Sequence, residues 1–463
     1  MFQHRDIQDF ERFADQDSRE ICSRGFSAVS SLPHVPLIGL PREIVQPIND
    51  RATDFFLSAH TFRDSGLIRG YYEYLPEFRN DPKTDITLST TLNAVALTAY
   101  AYAFQYPDLL HEARRLFVSA LHLVNNALSS SQEAIKDSTL ISIMLFGTFS
   151  ILTCRSQQSL SDCALHSGGT TTIIKLRGYR QWKTRSQLQL QQQLCSTILQ
   201  KCIYKSVRVP REVIELRRYA ETYLDTNDPA WKLSNAIVKL AVFRADMKEL
   251  LLCDHYSIVD AATKLDAEFT SLEEEMLVRW HFETVLTKEQ SELVFGTYYH
   301  AYPDFWEASI WNSLRTCRLL LHEEIANQLK EVLTLFPQPP IPNAAVNYQL
   351  SVTTIQQLTL DICATVPQYS SQLLMHLRSL LTAKEYELPE SLHFPNTFAT
   401  DEIPSTAGVY FLFWPLLRAG QLTDSDVQRN WVIRQSRLIG RMTGIQQAFT
   451  LANVLESGEE LTP

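Results

Sequence analysis

The sequence predicts an all-α protein, a large multi-helix array of antiparallel helix pairs with little or no sheet. Three observations lead there. Leu109, Leu110, Ala113, Leu116, Phe117, Ala120, Leu123, Val124, Ala127 and Leu128 recur at the i, i+3, i+4, i+7 spacing of a single helix face. The run from Ser138 to Cys154 is uncharged and apolar nearly all round, as a helix enclosed by other helices must be. Glycine is scarce, 14 in 463 residues, and no alternating strands joined by tight turns occur. The one β-like run, Thr170 to Ile174, is too short to found a sheet.

Taken in order, residues 1–40 form an N-terminal arm broken by Pro33 and Pro36. The main helical body, 41–336, begins its helices near Ile44. Ile86 to Pro107 is an uncharged run of 22 residues, long enough to span a bilayer. Its Thr87, Ser89, Thr90, Thr91, Asn93, Thr98 and Gln105 fit a buried helix of a soluble protein better. Pro107-Asp108 starts the next helix and Ser129-Ser130-Ser131 ends it. The run from Ser138 makes about 26 Å of helix, short of the roughly 30 Å hydrocarbon core. Leu188, Leu194, Ile198, Leu199 and Cys202 mark a further helix, and Asp228-Pro229 opens another through Arg244. Trp306, Ile310, Leu314, Cys317 and Leu321 stripe a helix over about 303–330. Four prolines between 337 and 342 make 337–345 a Pro-rich loop or hinge. The C-terminal part, 346–463, packs on the same body. It holds an irregular stretch from Pro389 to Pro404 and an apolar helix, Val409 to Leu417, interrupted by Pro415. Next comes a helix capped by Asp424 that carries Val427, Trp431 and Leu438, and then a last helix through Leu455.

The net charge is −10, which disfavours broad contact with a phosphate backbone. The charge is uneven. From Cys163 to Arg211 no acidic residue occurs, and Lys175, Arg177, Arg180, Lys183, Arg185, Lys201, Lys205, Arg208 and Arg211 give +9. These nine residues are the candidate interaction surface, for DNA phosphates or an acidic partner. The competing expectation is that they merely offset −19 elsewhere, with Gln187 to Gln193 lining a wet helix face.

Motifs that carry chemistry are incomplete. Ser167-Gly168-Gly169-Thr170 lacks the Gly-Lys-Ser/Thr of a phosphate loop. Gly25-Phe26-Ser27-Ala28-Val29 lacks the second glycine of a nucleophile elbow. His322-Glu323-Glu324 lacks a second histidine and reads as an exposed polar face. Cys253-Asp254-His255 places adjacent side chains in different directions, so a structural role is expected. Glu273-Glu274-Glu275 and Asp401-Glu402 read as solvated faces. Eight scattered cysteines without C-x-x-C spacing point to a reducing compartment. The start, Met1-Phe-Gln-His-Arg-Asp, has no apolar signal segment. No catalytic residue, metal or cofactor is expected.

Several strings in order resemble the regulatory region of fungal zinc-cluster transcription factors. They are Asp50-Arg51-Ala52-Thr53-Asp54-Phe55-Phe56, Tyr74-Leu75-Pro76-Glu77-Phe78 and Asp137-Ser138-Thr139-Leu140 leading to Thr153-Cys154. His166, Gly169, Arg177 and Gly178 follow, then Ala308-Ser309-Ile310-Trp311-Asn312-Ser313-Leu314-Arg315. Ala407 to Leu416, Trp431-Val432 and Gly444-Ile445-Gln446-Gln447-Ala448 complete the series, so the likeness spans roughly 45–455. The residues also carry packing expectations of their own. Gly169 and Gly178 let backbones approach or a helix end, Trp311 and Trp414 are buried anchors, and Arg177 and Arg315 cap carbonyls or pair with carboxylates.

The family reads DNA with a six-cysteine cluster holding two zinc ions. Here Cys22 stands alone in the first 150 residues, so that cluster is not formed. The chain is then either a shortened gene product or one that reaches DNA through a partner. The resemblance implies a nuclear regulator of transcription for a metabolic or biosynthetic gene set. It would act through protein partners, with indirect or weak DNA contact, no membrane and room for a small-molecule effector. The alternatives are a non-nuclear helical interaction scaffold and an all-α enzyme with an unrecognised site.

Overall fold

A computed structural model of the chain describes residues 46–62, 71–80, 85–156, 168–178, 182–287, 291–336, 340–381 and 406–458. The N-terminal arm and the stretch from Pro389 to Pro404 lie outside the described residues, as do Cys22, Arg180, Asp401 and Glu402. The fold is all-α.

Two short helices, α1 (Ile48–Ala59) and α2 (Leu75–Asn80), precede a central group. In that group α3 (Ile86–Ala103) lies against α4 (Pro107–Leu128) and α6 (Asp137–Thr153), and the single turn α5 (Ser131–Ala134) links the last two. Asp85 accepts from the Leu88 amide and so caps α3. Helix α6 is buried on all sides, as its uncharged sequence requires, and Phe117 of α4 stacks on its Phe149 at 3.7 Å. Among the described residues no helix is long and apolar enough to cross a membrane.

Helix α7 (Gly168–Arg177) takes in the Thr170–Ile174 run, which is therefore helical and not β. It ends at Gly178, whose φ of 70° is the left-handed conformation that terminates helices. Helix α8 (Arg185–Lys205) starts with a capping box between Thr184 and Gln187. It is followed by α9 (Arg211–Ala220) and α10 (Pro229–Lys248), the latter capped by Asp228.

The next three helices form an antiparallel layer continuing from α10, and polar ties give the register. In α11 (His255–Arg279), Glu275 meets Lys232 of α10 and Glu268 meets Lys239. In α12 (Phe305–Leu335), Arg318 meets Asp266 while Gln328 meets His255. In α13 (Ala344–Leu381), Thr365 meets Asn312 while Ser351 meets His322. The Pro-rich connection thus joins two helices that fold back on each other.

A two-stranded hairpin, β1 (Glu283–Leu286) with β2 (Tyr298–Ala301), pairs antiparallel with Glu283 opposite Ala301. Helices α14 (Thr406–Tyr410) and α15 (Phe413–Leu422) divide the expected Val409–Leu417 helix. The break lies before Phe413, and Pro415 is accommodated in the first turn of α15, where an amide proton is not needed. Ser425, not Asp424, caps α16 (Asp426–Thr443), and α17 (Gln446–Ser457) closes the described chain. One continuous apolar core runs from Ala52 to Leu455, so the C-terminal helices share it with the main body.

Candidate interaction surface

The eight described cations of the basic stretch do not form one patch. Arg177 is only 4% exposed. Its guanidinium pairs with Asp137 at 2.5 Å, donates to the Ile135 carbonyl at 3.1 Å and lies 4.1 Å over the Trp182 ring. It therefore serves the core, as expected for this arginine, and is withdrawn from the surface. Lys175, Lys183 and Arg185 are exposed near the end of α7 and the start of α8. Lys201, Lys205, Arg208 and Arg211 gather at the far end of α8, about 24 Å along the helix from Arg185.

At that far end the local chemistry is a helix terminus closed by cations. Lys248 donates to the Lys205 carbonyl at 2.8 Å, and Arg244 donates to the Ile203 carbonyl at 3.1 Å. These carbonyls lack partners inside α8, and positive charge favours the negative end of the helix dipole. Arg208 is held by Asp246 and Glu249, and Arg211 by Glu215. Burial, then repulsion from Lys205, lowers the Lys201 pKa. Sequence reading missed Arg244 and Lys248 because they lie some forty residues downstream on α10 and reach α8 only in the fold.

The glutamines of α8 are not a wet face. Gln193 accepts from the Tyr72 amide at 3.0 Å and the Tyr74 hydroxyl at 2.9 Å, while Gln191 donates to the Leu216 carbonyl at 2.8 Å. Gln189 donates to Glu73 at 2.9 Å. Amides satisfy buried polar groups where a charge would be too costly to desolvate.

His322 is likewise not on an exposed face. It is buried between α11 and α13, donating from Nε2 to Asp266 at 3.1 Å, with Nδ1 3.3 Å from the Ser351 hydroxyl. Arg318 clamps Asp266 through Nε at 2.8 Å and Nη2 at 3.2 Å, and reaches Glu273 at 2.6 Å. Burial alone would raise the Asp266 pKa, but the hydrogen bonds and charges of His322 and Arg318 outweigh it and hold the carboxylate low. Serine, histidine and aspartate in this order are the chain that activates a nucleophile. Ser351, however, is 3% exposed and sits inside a helix, so its hydroxyl is not presented at the surface. The chain acts as a tie across three helices.

Asp266→Ala should strand Arg318 and His322 in a half-dry interface. An expected destabilisation of about 2–3 kcal/mol, read as a lower urea midpoint, follows from removing one partner of a largely buried pair. An unchanged midpoint would show the tie to be energetically idle.

Of the remaining sequence candidates, Asp254 caps α11 by accepting from the Ser257 amide, and His255 bonds Gln328 at 2.6 Å. Both roles are structural. Glu273 and Glu275 serve ion pairs and Glu274 is exposed. Trp311 is a buried anchor donating to the Trp280 carbonyl, and the half-buried Trp414 lies under Arg418. Arg315 is buried with no carboxylate in contact among the described residues, donating to the Tyr302 hydroxyl at 2.7 Å amid Phe282, Tyr302 and Trp311.

Far-apart strings of the chain meet in an aromatic junction that the sequence did not disclose. His60 Nδ1 and the Tyr410 hydroxyl share a hydrogen bond of 2.7 Å. Tyr71 packs on Tyr410 with ring centroids 5.1 Å apart, and Phe62 stacks on Phe411 at 6.0 Å. Trp306 meets the edge of Phe411. Gly408 allows this closure, because a Cβ there would lie 2.9 Å from the Phe305 ring. No known protein family, curated protein or solved structure matches the chain.

Proposed function

We propose that the chain is a transcriptional regulator of the fungal zinc-cluster type. It acts in the nucleus on a metabolic or biosynthetic gene set, through contacts of its helical body with protein partners, and reaches DNA through one of them. The carrying observation is the aromatic junction. Strings that resemble the family's regulatory region lie more than three hundred residues apart, yet α1, the Tyr74 loop, the start of α12 and α14 gather around it. Two of these strings supply parts of one packed unit, Asp50 to Phe56 through Phe55 and Phe56 against His60, and Ala407 to Leu416 through Tyr410 and Phe411, and this contact supports the resemblance. The divided basic stretch agrees with weak direct DNA contact, because two separated clusters lay down few phosphate contacts in register.

The test has two arms. Purified protein at about 50 mM salt should give no gel shift with promoter DNA, and deletion of the gene should alter transcripts of a metabolic or biosynthetic set. A sequence-specific shift by the protein alone would refute the partner route. An unchanged transcriptome would refute regulation.

A further inference from the structure

The connection between α10 and α11 carries a side chain that its backbone disfavours. Leu250 has φ 58°, the left-handed conformation that glycine or asparagine adopts at less cost than leucine. Five non-glycine positions among the described residues have positive φ, and Leu250 is the one aliphatic side chain among them. Burial does not offset the strain, because Leu250 is 75% exposed and the adjoining Leu251 is 68% exposed. The end of α8 stands beside this turn. Lys248 donates to the Lys205 carbonyl and Glu249 pairs with Arg208, so the exposed Val207 belongs to the same end of the molecule. This end also holds unmatched charge. Lys201 and Lys205, one turn apart on α8, repel each other, and neither has an ion pair among the described residues. Arg208 and Arg211, by contrast, are matched by Asp246, Glu249 and Glu215.

We infer that this end of the molecule docks an acidic segment of a protein partner, whose carboxylates face Lys201 and Lys205 while its large apolar side chains cover Leu250 and Leu251. A leucine held in a costly conformation and left in water serves neither the turn nor the core, and strain of that kind collects where a chain binds. The charges select the occupant. Two unmatched lysines call for carboxylates, and the leucines beside them call for apolar side chains on the same partner. A nucleic acid would find two phosphate contacts here and nothing to cover the leucines. An anionic bilayer is disfavoured by Glu249 and Asp254, which flank the leucines on either side in sequence. A bilayer presents one negative field to every group at its surface, whereas a peptide sets its carboxylates opposite the lysines alone.

The inference rests on the reading that the helical body acts through protein partners, yet the two can fail separately. The probe is a fluorescein-labelled peptide of about fifteen residues, Asp and Glu interleaved with Leu and Phe, titrated by anisotropy against the full chain at low salt. Weak binding is expected, with Kd on the order of 100 µM. Replacing the peptide's acids by Asn and Gln should weaken it at least about tenfold. Leu250→Gly with Leu251→Ser, and separately Lys201→Gln with Lys205→Gln, should each weaken it at least about fivefold. Leu250→Gly alone should leave the urea midpoint unchanged or raise it, since glycine accepts a φ of 58° without strain. A lowered midpoint would show that the leucine is kept for packing and would overturn the inference. So would no binding up to about 1 mM, or binding indifferent to both pairs of substitutions. Vesicles of phosphatidylcholine and phosphatidylserine that bind through the leucines, where the peptide does not, would assign the turn to a membrane surface instead. Peptide binding beside an unchanged transcriptome would refute the regulatory reading alone, and altered transcripts without peptide binding would refute this inference alone.

Discussion

Between pH 7 and pH 5 the protein should lose about 4 kcal/mol of folding stability, most of it traceable to His60 and His300. His60 is wholly buried, stacked on Phe56 with centroids 5.1 Å apart and bonded to Tyr410. Burial pushes its pKa down to about 3. His300 is also held at about 3, by burial and then by Arg315, whose guanidinium lies 3.4 Å from Nδ1. In the unfolded chain each imidazole titrates near 6.5. From pH 6.5 down to 3 the unfolded state therefore binds two protons that the folded state refuses, and stability falls as pH falls. Each histidine contributes about 1.4 kcal/mol per pH unit, hence about 2 kcal/mol at pH 5. Asp266 also weakens the fold on acidification, but its lowered pKa places that loss below the ordinary carboxylate range, outside this window. Urea midpoints at several pH values check the slope. His60→Gln and His300→Gln should each flatten it, whatever they do to stability at pH 7. A wild-type slope near zero between pH 6 and 5 would mean that these rings take protons in place.

The regular helices were legible because their signals are local. The amphipathic spacing over 109–128 and the uncharged run of α6 each name a helix and its surroundings without help from the rest of the chain. Asp228-Pro229 marked the start of α10 for the same reason, since a cap and a first-turn proline act within four residues. What was missed depends on distant partners. The hairpin strands are four residues each, with β1 mostly exposed, so no alternation betrays them. Val285 finds Tyr299 across the intervening chain. His322 looked exposed beside two glutamates because Asp266 lies 56 residues away and Ser351 lies 29 residues away. The α8 glutamines looked wet because their partners, Tyr72 and Tyr74, precede them by more than a hundred residues. The described cations of the basic stretch divide because Arg185 sits at the start of a 21-residue helix, Lys201 and Lys205 at its end, and Arg177 is buried.

Gly444→Ala should be among the most damaging single substitutions in the protein, destabilising it by about 3 kcal/mol or more. Two effects add there. Gly444 ends α16 with φ 76°, its amide donating to the Gly440 carbonyl at 2.9 Å, and an L-residue in that conformation costs about 1–2 kcal/mol. A Cβ would also sit 2.6 Å from the Tyr102 carbonyl carbon and 2.7 Å from the Ala103 nitrogen. Those atoms are backbone at the end of α3, so no rotamer change relieves the overlap, and the helices must part. Parting them loosens Ile445, which is fully buried directly after the turn, and strains the Thr450 hydroxyl bond to the Cys154 carbonyl that fixes α17 to the end of α6. Gly178→Ala separates the two contributions, because Gly178 has a similar φ of 70° and no described residue within 4 Å of its missing Cβ. It should lose only the conformational part, about 1–2 kcal/mol. Thermal or urea unfolding of the two variants beside the parent measures the difference. Equal losses at both positions would mean that α3 yields freely to the new methyl group, and that α16 does not rest on α3 as closely as the geometry requires.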